Sequence, residues 1–158
     1  MSHMKIKTLV VTFAVWIAAG AICLAASPAM GTWKLNEAKS KIAKGTGKNT
    51  MVVYKSGGMG KTKIIVDGMD GAGKASHTEW TGKFDGKDYA VTGDAMQDTR
   101  SYKQIDDRNL DFWVKKGGKV TTSGHVTIAA DGKSRTVTTN GMTPKGKKYT
   151  SMAVYEKQ

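Results

Sequence analysis

Few residues in this chain have the types and spacing that catalysis or metal binding demands. Apart from His3, the histidines are His77 and His125, in separate Val- and Thr-rich runs, with no cysteine beside them and no carboxylate cluster at ligand spacing. Tetrahedral or octahedral metal sites need several such donors brought to one point, so no metal site is expected. Nucleophilic catalysis fares no better. There is no Gly-x-Ser-x-Gly, and no Ser, His and Asp stand at spacings that assemble a nucleophile with its base. Asp106-Asp107 precede Arg108-Asn109 in a stretch that reads as a turn, where paired acids are simply solvated. Lys55 to Thr62 has the glycines and lysine of a phosphate loop, but the pattern requires a glycine five residues before Gly60, where Lys55 stands. It also runs into a strand rather than the helix whose N-terminus would hold phosphate. The expectation is a protein that is not an enzyme, with no catalytic residues and no cofactor.

The chemistry that remains is recognition. In an extended strand successive side chains face opposite sides, so Arg135 shares a face with Val137 and Arg100 shares one with Tyr102. An arginine that faces an apolar interior is costly unless it meets a carboxylate or an anionic ligand. For Arg135 the interior is expected; for Arg100 the pattern leaves interior and solvent open. Trp80, Tyr89, Phe112 and Tyr155 would supply apolar walls around such a cation. The candidate ligand-binding residues are therefore Trp80, Tyr89, Phe112, Arg135 and Tyr155.

These residues must be positioned by strands. From Thr50 the chain consists of short runs rich in Val, Ile, Thr and aromatics, with Gly-containing turns about every eight to twelve residues, the pattern of an antiparallel barrel or sandwich. Ten strands are predicted: Gly31 to Leu35, Thr50 to Lys55, Lys61 to Asp67, Ala75 to Gly82, Asp88 to Thr92, Thr99 to Ile105, Asn109 to Lys115, Lys119 to Ala129, Ser134 to Asn140 and Lys147 to Lys157. Glu37 to Ala43 has room for two helical turns before Gly45 and Gly47 stop it. Alternation sends Ile64, Val66, Trp80, Leu110, Phe112, Val114, Val120, Val126 and Ile128 inward, and Trp113, His77 and His125 outward. Asp85-Gly86, Asp131-Gly132 and Asn140-Gly141 are predicted hairpin turns. Asp67 to Lys74 and Asn140 to Lys147 share the pattern D/N-G-M-x-x-x-G-K, which reads as one hairpin built twice.

Gly31-Thr32-Trp33 opens the strand-rich region and Val154-Tyr155-Glu156 nearly ends the chain. This pairing resembles the lipocalin and fatty-acid-binding (calycin) β-barrel family. The resemblance implies an all-β, antiparallel up-and-down barrel of eight to ten strands, closed by pairing of its last strand with its first. It also implies that Trp33 packs at the closed end. Fatty-acid-binding proteins hold a carboxylate with an arginine two residues before the closing tyrosine; here that position is Ala153, so only Tyr155 carries over. Arg135 is the candidate replacement, orienting an acidic head beside Tyr155.

Residues 1–29 read as a cloning remnant, Met1-Ser2-His3, followed by a cleavable N-terminal signal helix: Lys5 and Lys7, then the uncharged, mostly apolar Thr8 to Ala26. Cleavage is expected after Ala29, with Ala26 the second choice and a retained membrane anchor the alternative. Cys23 falls in that segment, so residues 30–158, the barrel domain, contain no cysteine and no disulfide. The formal net charge is +12, two units of it in Lys5 and Lys7. Single lysines scattered through turns make solubility the simplest use of this charge, with attraction to an anionic surface as a second use and no specific nucleic-acid partner. The expected protein is a secreted or periplasmic monomer that binds a small apolar or amphipathic molecule. The alternative is a barrel filled by its own side chains that acts through its basic exterior on an anionic envelope polymer or a protein partner.

Overall fold

The computed structural model describes residues 27–143 and 145–158; the expected signal helix, apart from Ser27–Ala29 before the expected cleavage point, lies outside them. Among the described residues there is no helix, and ten strands follow one another: β1 (Gly31–Lys41), β2 (Lys48–Gly58), β3 (Lys61–Met69), β4 (Ala75–Gly82), β5 (Tyr89–Thr92), β6 (Thr99–Gln104), β7 (Asn109–Lys116), β8 (Lys119–Ile128), β9 (Ser134–Met142) and β10 (Lys148–Lys157). Each pairs antiparallel with its sequence neighbours, and β1 pairs with both β2 and β10, so the sheet closes into an up-and-down barrel. All ten predicted strands are present. Closure gives every strand a paired neighbour on each side, the arrangement that protects β-proteins from edge-to-edge association, although the β1–β2, β4–β5 and β5–β6 ladders are short.

Alternation decides what fills the barrel. Trp33, Val52, Tyr54, Ile64, Val66, Trp80, Leu110, Val126 and Ile128 are buried core, while Trp113, His77 and His125 face outward. The repeated motif does build one hairpin twice. In the first copy Asp70 N donates to Lys74 O at 2.8 Å and Gly73 N to Asp70 O at 3.0 Å; in the second Thr143 N donates to Lys147 O and Gly146 N to Thr143 O, both at 2.8 Å. Gly73 and Gly146 sit at φ 83° and 76°, a left-handed conformation that a side chain would oppose.

Three local expectations are corrected. Glu37 to Ala43 is not helical: β1 runs on to Lys41 and arches away from β10 between Asn36 and Lys41. Ser40 stitches the arch, its hydroxyl donating to Asn36 O at 2.6 Å and accepting from Val154 N at 2.9 Å, so strand pairing outcompetes local helix propensity. Val120 is outward and 53% exposed, because a bulge pairs Val114 with Thr122 but Lys115 with Val120, and one extra residue reverses the alternation. Asn140-Gly141 is not a turn but lies within β9; the turn comes at Thr143–Lys147, where Gly146 supplies the positive φ.

Strand direction assigns every turn to one of two ends. The turn at Gly58–Lys61, the loop that carries Phe84 and the starts of β1 and β9 share one end; the turns after β1, β3, β5, β7 and β9 share the other, the mouth. The first end is closed by Ser27-Pro28-Ala29-Met30. Ala29 is 2% exposed and its carbonyl accepts the Trp33 indole N–H at 2.9 Å; Pro28 O accepts Lys157 Nζ at 3.1 Å. Cleavage after Ala29 would remove this seal and cleavage after Ala26 would keep it, so a chain that begins at Met30 is expected to unfold at lower temperature than one that begins at Ser27. The buried indole N–H would lose its acceptor, at a cost of about 1–3 kcal/mol, and differential scanning calorimetry of the two chains checks this; equal midpoints would contradict it.

Candidate binding site in the barrel lumen

The lumen is packed asymmetrically. Its closed half holds a continuous aromatic cluster built from β2, β4, β5, β6, β7 and the loop after β4. The Trp80 ring stacks on Phe84 (6.2 Å between centroids, 12° between planes) and meets Tyr89 and Tyr102 edge-on at 5.7 and 4.9 Å. Tyr102 continues to Phe112 at 5.8 Å, and Phe84 to Tyr54 at 6.4 Å. Two glycines make room for this packing. A Cβ on Gly82 would lie 2.5 Å from Trp80 and 2.6 Å from Tyr89, and one on Gly124 would lie 2.3 Å from Phe112.

Beside the aromatic cluster sits a buried cation. Arg135, directly opposite Tyr155 in the β9–β10 register, is 3% exposed. Its guanidinium carbon lies 4.8 Å from the Trp33 ring centre, 4.8 Å from Tyr54 and 5.0 Å from Tyr155. Its Nε and Nη1 are buried without a hydrogen-bond partner, and among the described residues no carboxylate forms an ion pair with it. Burial pushes Tyr54 and Tyr155 up to about 12, more strongly than the nearby Arg135 draws them down, so both phenols stay neutral. The positive charge is thus met by ring faces rather than by a counter-ion.

The five residues singled out in the sequence all reach the interior. Trp80, Tyr89 and Phe112 belong to the aromatic cluster, while Arg135 and Tyr155 lie with Trp33 and Tyr54 at the closed end. Several polar handles are already engaged: Trp80 Nε1 donates to Arg100 O at 2.8 Å, Tyr89 OH to Asp85 Oδ2 at 2.9 Å and Tyr155 OH to Asn49 O at 3.1 Å. The hydrogen bond to Asp85 raises the Tyr89 pKa above its ordinary value. Sequence reasoning missed Tyr54 and Phe84. Alternation with Val52 could have found Tyr54, but Phe84 lies in a loop where no periodicity applies.

Toward the mouth the lining changes character. Ser76, Thr122 and Thr139 face the lumen with Val114, Val137, Ala153 and, at the rim, Tyr149, and all are only half-buried although they point inward. Apart from Tyr149 these side chains are small, where those of the closed half are large aromatics. Arg100 projects into this boundary from β6, opposite Tyr89 on one side and Val114 on the other. It is 9% exposed.

The outer wall carries two His–Asp pairs. His77 Nδ1 lies 2.6 Å from Asp67 Oδ1, and His125 Nδ1 lies 2.6 Å from Asp111 Oδ1. His125 and Asp111 line a shallow concavity with Trp113 and Ser123, but His125 Nε2 faces Asn109 Oδ1 at 3.2 Å. Both ring nitrogens thus face side-chain oxygens, and among the described residues no hydrogen bond joins His125 to Ser123. Among the described residues no three His, Cys, Asp or Glu side chains converge as a metal site would require.

No known protein-family profile matches the chain, and no curated protein is detectably similar to it in sequence. The class that the fold defines is the closed ten-stranded antiparallel β-barrel, an architecture consistent with the calycin type.

The pair on β3 and β4 makes a pH prediction. The hydrogen bond that His77 donates to the Asp67 carboxylate is the main cause that raises the His77 pKa above its ordinary value. The folded state therefore holds this proton more tightly than the unfolded chain. Its contribution to stability is complete below the unfolded-state value and is lost as pH rises through the folded-state value. An NMR titration is expected to show His77 above about 6.5 and Asp67→Asn to lower it; an unchanged midpoint in the variant would contradict the assignment.

Proposed function

We propose that this protein is an exported, monomeric, lipocalin-like barrel that holds a small hydrophobic or amphipathic molecule in the mouth half of its lumen. The observation that carries the reading is the change of lining along the barrel axis. Large buried aromatics fill the closed half, and half-buried Val114, Val137, Ala153, Thr122 and Thr139 line the other, with Tyr149 at its rim. A ligand entering the mouth would rest its apolar part on Phe112 and Tyr102 and meet hydroxyl groups around its waist. Such a mixture of apolar wall and few polar groups is what small-molecule sites present. Export is supported by the Lys5, Lys7 and Thr8 to Ala26 segment, and the monomeric state by a closed barrel without a free edge.

Native mass spectrometry of protein purified without denaturation is expected to show a bound small apolar or amphipathic molecule. Ala153→Trp, which fills the mouth half, is expected to abolish that adduct and the uptake of the neutral fluorophore N-phenyl-1-naphthylamine. Trp113→Ala, on the outer wall, leaves both unchanged. A wild-type protein that carries nothing and takes up no probe, or an Ala153→Trp variant that binds like wild type, would overturn the reading.

A further inference from the structure

The lumen contains two buried arginines, and their surroundings differ in a way that assigns different tasks to them. Arg135 also has unpartnered N–H groups, at Nε and Nη1, but it is enclosed by three ring faces at an end covered by Pro28 and Ala29, away from the mouth. Arg100 has only neutral partners. Its Nη2 donates to Gln97 Oε1 at 2.7 Å and its Nη1 reaches the Tyr102 hydroxyl at 3.4 Å, a long and weak contact. Its Nε is buried with no partner at all. Among the described residues no carboxylate forms an ion pair with Arg100.

Nε and Nη2 together form the side edge of a guanidinium, two nearly parallel N–H groups that match the two oxygens of a carboxylate, sulfonate or phosphate. In Arg100 one half of this edge is orphaned and the other is held by an amide from the loop between β5 and β6. Gln97 is itself held from behind, its Nε2 donating to Asp94 Oδ2 at 2.6 Å, while Asp94 Oδ1 accepts Met96 N at 2.8 Å. A neutral amide on a mouth loop is a displaceable partner, whereas a carboxylate there would neutralise the arginine permanently. A buried charge with an unmet N–H is expensive, and an incoming anion would relieve that cost.

The mouth is charged to match. The turns at this end carry Lys44, Lys74, Lys119, Lys145, Lys147 and Lys148, all exposed and none in an ion pair among the described residues. The nearby acids are engaged: Asp70 accepts the turn N–H groups of Ala72 and Lys74, and Asp98 holds Lys116 and Gly117 N. A ring of unpaired lysines around a low-dielectric opening draws anions toward it.

We infer that Arg100 anchors the acid group of an anionic amphipathic ligand, and that Gln97 occupies the guanidinium edge until the acid displaces it. This rests on the reading of the lumen as the ligand site. The test uses two probes that share one apolar scaffold, the anion 8-anilinonaphthalene-1-sulfonate and neutral N-phenyl-1-naphthylamine, titrated by fluorescence into folded wild type, Arg100→Met, Gln97→Ala and Gln97→Glu.

Arg100→Met is expected to weaken the sulfonate about tenfold to a hundredfold, the effect of losing a charge-assisted contact, and to leave the neutral probe within about twofold. Gln97→Glu, which places a fixed carboxylate on the edge, should weaken the sulfonate, while Gln97→Ala should bind it as well as wild type or better. This second pair carries the test if Arg100→Met does not fold. Equal effects on both probes, or sulfonate binding indifferent to Gln97→Glu, would overturn the role of Arg100 while the lumen site stands. Wild type that binds neither probe would overturn the lumen site, and the anchor with it.

Discussion

The contact on which the rest depends is the Arg135 guanidinium among Trp33, Tyr54 and Tyr155. These four residues come from β9, β1, β2 and β10, the strands on either side of the seam where the chain closes on itself. Burying an unpaired charge costs several kcal/mol, and each ring face returns about 0.5 to 2 kcal/mol when desolvated. Three faces together are of the order needed to offset the burial. Loss of any one ring would leave the cation short of compensation, so closure of the barrel and tolerance of the charge stand or fall together. Lys157 adds a second cation over Trp33 at 5.1 Å and ties the last strand to Pro28, which seals the same end.

Sealing one end has a consequence for the other. A barrel whose aromatic volume is concentrated between Trp33 and Tyr102 can afford glycines, threonines and alanine above that level without losing its core. The half-buried lining near the mouth is therefore compatible with a stable fold that has no disulfide among its described residues. The same division separates the two arginines. Arg135 sits among three ring faces at the covered end with its Nε and Nη1 unpartnered, and Arg100 lies nearer the mouth with an amide on Nη2 and an orphaned Nε beside the proposed ligand site.

Much of this was legible in the sequence. The strands declared themselves because the turns between them require glycine, and because Val, Ile and aromatic residues alternate with Thr and Lys. Alternation alone placed Trp80, Phe112 and Arg135 inside and Trp113 outside. It failed at Val120, since a bulge is a property of two paired strands and neither strand shows it alone. It failed also at Glu37 to Ala43, where local composition permits a helix and the Ser40 contacts with β10 prevent one. Asn140-Gly141 misled because the glycine serves close packing against Tyr149, whose hydroxyl would lie 2.7 Å and whose ring 2.8 Å from an added Cβ, rather than a turn. The site was legible as a set of inward residues, but not as two ends. Which end an inward residue occupies depends on strand direction and register around the whole barrel, and the positions of Arg100 and Arg135 diverge on that point.

The central claim is that the lumen is filled at one end and receptive at the other. Methyl NMR of the protein with an added anionic amphiphile tests it most directly. The account predicts that the methyl resonances of Ala153, Val137 and Val114 shift, while those of Ile128 and Val52, packed at the closed end, stay in place. Perturbations confined to outward methyls such as Val120, or shifts spread equally over both ends of the core, would contradict it.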